Sequence, residues 1–234
     1  MERAWLKLRG ADGSIADTIR EPKSPQTPRV LEAQNGGAFK SALVPFDPVY
    51  VWKLSPHGYV VSGFPNRYAF EIHTRAGSVT SVRRDMQATP VTNAERDSAR
   101  RAVETSLRET EPAWTWGGAD VPRTKPLYSD LAIGLDGRIW VARVKEVAPS
   151  IGSINTPMGV GRGAPPPPRG NALTQTVKRR AALYDVFEPS GAFIGSVEIP
   201  PGVSTVVRRG DYVWGVAYDE DDVAFVKRYR INWK

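Results

Sequence analysis

The sequence predicts an all-β fold built from four-stranded antiparallel sheets, with one short helix inserted between strands. Three observations predict it. Short apolar segments recur in pairs around tight, glycine-containing turns. The 234 residues hold 21 glycines and 20 prolines, a turn-rich composition that does not suit a helix bundle. The paired segments also come in two kinds, one apolar throughout and one alternating apolar with polar, as expected for inner and half-exposed strand pairs of one sheet.

The elements follow in order. Residues 1–20 supply an outer pair, Trp5–Leu8 and Ser14–Ile19, around Asp12-Gly13. Residues 47–87 supply a full four-stranded unit, with turns at Pro56-His57-Gly58 and Arg75-Ala76-Gly77. Residues 126–200 supply a second full unit, turning at Asp136-Gly137 and Pro189-Ser190-Gly191, interrupted by a Pro/Gly-rich insertion over 145–178. Residues 203–231 supply about three more strands, turning at Gly210-Asp211. Trp52, Trp140 and Trp214 fall in inner strands and are expected in the core.

Three runs carry a family resemblance. Tyr128-Ser129-Asp130-Leu131-Ala132-Ile133-Gly134-Leu135-Asp136-Gly137-Arg138-Ile139-Trp140-Val141 resembles the inner strand pair of bacterial six-bladed β-propellers of the NHL-like type. Tyr184-Asp185-Val186-Phe187-Glu188-Pro189-Ser190-Gly191, continuing to Ile199-Pro200, is similar to their outer pair. Arg209-Gly210-Asp211-Tyr212-Val213-Trp214-Gly215-Val216, then Val226–Ile231, is similar to their final blade. The resemblance implies a partial propeller of about three blades, the C-terminal half of a ring. It also implies a product truncated from a longer parent, or a half-ring that associates with a second copy to cover its open sheet faces. For a full-length parent it implies the periplasm or cell envelope, although Met1–Lys7 lacks the apolar run of a signal peptide or membrane span.

Insertions are distributed unevenly. In a meander every second connection lies at the same end, so the tight turns named above share one end. Residues 19–47, 62–67, 87–125 and 144–178 share the other. Long loops on a rigid scaffold are where binding resides, so a protein or small-molecule partner is expected on this loop-rich face. Within it, Thr92-Asn93-Ala94-Glu95 reads as a capping box opening a helix over 92–110. Ala99, Val103 and Leu107 lie on one side of that helix, and Glu104 and Arg108 form an i,i+4 pair. Packed as a lid, it needs no partner. Gly159–Gly170, with four consecutive prolines, reads as an extended surface loop, because the Gly-x-Gly-x-Gly run lacks a strand-to-helix context for phosphate.

Chemistry is thinly represented. There is no cysteine, which removes disulfides and thiolate catalysis, and only two histidines, His57 in a tight turn and His73 on an alternating strand. No nucleophile–histidine–acid set can be assembled from these. Candidate ligand-binding residues on the loop-rich face are Arg67, Tyr68, Trp114, Trp116 and Arg143, which would offer a stacking surface to a sugar, peptide or anion. The tryptophans would equally seal the insertion against the sheets. The resemblance implies an alternative, a calcium-dependent lactonase or esterase, for which Asp130 and Asp219 are the candidate metal ligands. The net charge of +7 favours anionic partners, but the basic residues are scattered rather than clustered, which argues against a nucleic-acid surface. A non-catalytic binding module is the expectation, with no cofactor.

Overall fold

The computed structural model describes residues 5–9, 12, 14–20, 22–144, 182–221 and 223–233. The Pro/Gly-rich insertion expected at 145–178 lies outside them, as does Asp222 of the acidic turn. The protein is mostly β. Strands β1 (Trp5–Arg9) and β2 (Ile15–Arg20) form one antiparallel pair, and β3 (Val30–Asn35) and β4 (Ala38–Leu43) another. Strands β5 (Val51–Leu54), β6 (Val60–Gly63), β7 (Ala69–His73) and β8 (Val79–Arg83) make a four-stranded meander. A second is made by β9 (Tyr128–Ile133), β10 (Ile139–Arg143), β11 (Ala182–Phe187) and β12 (Phe193–Ile199). The last sheet holds β13 (Ser204–Arg209), β14 (Tyr212–Tyr218) and β15 (Ala224–Arg230). Helix α1 (Asn93–Arg108) lies between β8 and β9.

Three of these sheets stack face to face in chain order. Strand alternation sends Val61, Phe70, Ile72 and Val82 to one face of the β5–β8 sheet, where they meet Leu131, Ile139, Val141 and Phe187 from β9–β12. The other face of β9–β12 carries Trp140, Val186, Val197 and Ile199, which pack on Val213 of β14 and on Ile231. The inner strands of the middle sheet are therefore covered on both faces, which explains why Leu131–Ala142 reads as apolar, whereas β12 at the edge alternates between buried and exposed. Strands β5 and β9 run in contact, and Lys53 Nζ lies 3.1 Å from Asp130 Oδ1 between them.

Residues 19–47, expected as one long loop, contain the β3–β4 hairpin. Its register joins Asn35 to Ala38, so the turn is Gly36-Gly37, with φ of +54° and +89°. Two positive φ values in a two-residue turn match the right-handed twist of the strands and are free of steric cost only for glycine. Leu31 and Ala33 point inward and meet Ala42, Val44, Val103, Leu107 and Trp114. Hairpin and helix thus share a core of their own. Arg29 ties its base down, donating from Nε and Nη2 to both Asp47 oxygens at 3.0 and 2.6 Å.

The helix forms as its sequence dictates. Thr92 Oγ1 accepts from Glu95 N–H at 3.2 Å, and Glu95 Oε2 accepts from Thr92 N–H at 2.9 Å. Ala99, Val103 and Leu107 are its buried residues, and Arg108 Nη2 lies 3.5 Å from Glu104 Oε2. Trp140 is core as expected, whereas Trp52 and Trp214 are only half-buried. No described helix is long and apolar enough to cross a membrane.

Candidate functional site

The two ends of the stacked sheets differ in kind. At the tight-turn end, the hairpins are bonded to one another from sheet to sheet. His57 Nε2 lies 3.0 Å from the Leu135 carbonyl, and since a carbonyl only accepts, Nε2 carries the proton. The Tyr59 hydroxyl donates to the Gly137 carbonyl. Leu135 N–H donates to Arg208 O at 2.8 Å, Gly210 N–H to Asp136 Oδ2 at 2.7 Å, and Arg138 Nη1 to Gly210 O at 3.0 Å. Gly137, at φ +84°, is hemmed in by His57 and Pro189 from two neighbouring turns, so a side chain there would be crowded as well as strained. His57, read from sequence as a plain turn residue, is a link between sheets.

The opposite end carries the β3–β4 hairpin, α1, the β6–β7 connection and two clefts. One cleft, of about 280 Å³, lies on the face of β5–β8 turned away from β9–β12 and includes Arg67. The other, of about 180 Å³, is walled by Pro45, Phe46, Pro65, Pro126, Tyr128 and Val144.

Of the predicted ligand-binding residues, only Arg67 is exposed and lines a cleft. Tyr68 is 2% exposed and is not a surface for stacking. Its hydroxyl donates to Asp185 Oδ2 at 2.7 Å, and burial first, then this bond, pushes the phenol far above its ordinary range. Asp185 is completely buried between the two meanders and also accepts from Arg84 Nη1 at 2.9 Å and Ser196 Oγ at 2.6 Å. Arg143 stands by the same carboxylate, with Nη1 4.0 Å from Oδ1. Three hydrogen bonds and two guanidinium groups compensate a charge that would otherwise be prohibitive at this depth. Tyr68 and Arg143 thus belong to a clamp between sheets. The cluster was hidden because β10, β11 and β12 place Val141, Asp185 and Ser196 side by side only once register is known.

The tryptophans also pack inward. Trp114 is 8% exposed, its Nε1 donates to the Glu32 carbonyl at 2.8 Å, and its ring meets Trp116 edge-on at 6.3 Å. Arg100 lies over the Trp116 ring at 5.2 Å. Of the two roles the sequence left open, sealing the helix and hairpin together is the one adopted.

The proposed metal ligands stand apart. Asp130, 54% exposed, faces Lys53, while Asp219 Oδ1 accepts from Asp221 N–H at 3.0 Å and Val223 N–H at 2.8 Å within its own turn. Neither belongs to a group of three or more metal-ligating side chains among the described residues.

One constellation was not anticipated. The β6–β7 register sets Ser62 beside Glu71 and Val60 beside His73, bringing a hydroxyl, an imidazole and a carboxylate together. Ser62 Oγ lies 2.9 Å from His73 Nε2, and Glu71 Oε2 lies 3.3 Å from that same nitrogen. A proton relay needs the nucleophile on one ring nitrogen and the acid on the other. With both on Nε2, the arrangement holds the ring in place and does not activate Ser62.

The chain matches no protein-family description, no curated protein and no solved structure.

Proposed function

We propose that the chain is a non-catalytic binding module of the β-propeller type, taking a protein or small ligand at its loop-rich end. The observation that carries this reading is the contrast between the ends. At one, polar groups of successive hairpins are consumed in bonds between sheets; at the other, the segment ahead of β3 and the connections β4–β5, β6–β7 and β8–β9 line two clefts. A rigid scaffold with variable structure at one end is how binding sites are commonly held. The propeller assignment draws support from three meanders stacked in chain order, with first strands β5 and β9 adjacent as inner strands of neighbouring blades would be. On this reading a second copy covers the outward face of the last sheet, extending the stack toward a ring.

Protein-observed NMR with a library of small soluble fragments tests the reading. Shifts gathered at the amides of Arg67, Tyr128 and Val144 uphold it. Shifts gathered at His57, Gly137 and Gly210 overturn it.

A further inference from the structure

The larger cleft carries more positive charge than its surroundings neutralise. Lys23, Arg67 and Arg83 line it, and Glu71 supplies a carboxylate to the same wall. That carboxylate is already engaged by His73 at 3.3 Å. Arg83 uses Nε to donate to Ser81 Oγ at 3.3 Å. Among the described residues, neither the Lys23 nor the Arg67 side chain has an ion-pair or hydrogen-bond partner. Cations that converge on a concavity raise its potential well beyond what the same charges do when scattered. The remaining lining suits an organic body. Ser62, Ser81 and Tyr50 bring hydroxyl groups, and Phe64 brings an apolar ring. At about 280 Å³ the space falls just below the range of roughly 300–1,000 Å³ that holds drug-sized ligands, so it suits a single ring rather than a polymer.

We infer that this cleft binds a small organic anion of monosaccharide size, bearing a carboxylate or phosphate group on a hydroxylated ring. The inference rests on the loop-rich end being the binding end. The guanidinium groups of Arg67 and Arg83 take the oxyanion through charge-assisted hydrogen bonds. The serine hydroxyls take the ring hydroxyls, and Phe64 covers the ring's apolar face. The lining groups named come from strands β6–β8, from the residue ahead of β5, from the β6–β7 connection or from the segment ahead of β3.

The test is titration with glucuronate and glucose 6-phosphate, followed by calorimetry and by amide shifts, with glucose as the neutral control. The two anions separate a carboxylate ligand from a phosphorylated one. At least one should bind, shift the amides of Arg67 and Ser81, and weaken about tenfold in Arg67→Ala, which removes a charge-assisted contact from an exposed position. Arg101→Ala, which lowers net charge equally from the exposed face of α1, should leave affinity unchanged. The inference is overturned if neither anion binds, if glucose binds as well as the anions, or if Arg101→Ala weakens binding as much as Arg67→Ala. Fragments that still gather at Tyr128 and Val144 while both anions fail would sink this inference alone. Fragments gathering at the tight turns would sink the binding-end reading with it.

Discussion

Asp185 has no exposed surface, yet four side chains address it, two from strands β10 and β12 and two from connecting segments of the neighbouring sheet. Deleting the charge and deleting a donor should therefore differ. Tyr68→Phe removes one hydrogen bond to a charged acceptor and should cost about 2 kcal/mol. Asp185→Ala leaves Arg84 and Arg143 facing an apolar seam and should cost about 4 kcal/mol, in the range found for broken buried pairs. Urea denaturation of the two variants measures both, and equal losses would show that Asp185 is not the hub. From the sequence Asp185 was one polar residue in the run Leu183–Phe187, and Tyr68 and Arg143 were legible only as aromatic and basic. What separates a clamp from a ligand site is the identity of the facing residue, which comes from another sheet.

At the scale of elements, legibility followed the range of the interactions involved. Helix α1 was readable to its last turn because Thr92, Glu95 and the Ala99–Val103–Leu107 spacing are local signals. The β3–β4 hairpin was missed although Gly36-Gly37 is itself a turn signal. Prolines at 22, 25 and 28 set an irregular context ahead of it, and Ala33 and Ala42 are poor strand formers whose burial comes from packing on the helix. Leu107→Ala should cost about 3 kcal/mol by opening a cavity where helix and hairpin meet, measurable by thermal or urea unfolding. Glu95 gives the helix a dependence on pH. Its bond to Lys125 first, then those to Thr92, hold its carboxyl at about 2. Because the folded value is depressed, the stability it confers is complete above the ordinary carboxylate range and is lost as pH falls toward about 2. A carboxyl-detected NMR titration should find Glu95 ionised after most other glutamates have protonated; an ordinary titration midpoint would refute this.

For the whole molecule, the open question is what meets the outward face of the last sheet. The far face of β13–β15 carries Tyr212 and Trp214 with Val226 beside them, the valine 71% exposed. Apolar residues so displayed on a sheet are a common site of association. If a second copy closes the ring, size exclusion with light scattering should return the mass of two chains, and Val226→Lys should return one. A monomeric wild type would leave the closing partner to be another chain. The repeated meanders and the crowding of long connections at one end were both legible, because turn chemistry and strand count are written along the chain. Which meander faces which was not, since that depends on shapes brought together across more than a hundred residues, as with Tyr68 and Asp185.

The bonded turns have a consequence for exchange with solvent. Amides at hairpin tips ordinarily trade their protons for deuterium early, since nothing but water holds them. Here Leu135 gives its proton to Arg208 and Gly210 gives its own to Asp136, both across the seam between β9–β12 and β13–β15. Those tip amides should therefore be retained as long as the strands beneath them. Their release would record the parting of the second meander from the third rather than the fraying of a hairpin, giving that seam its own clock.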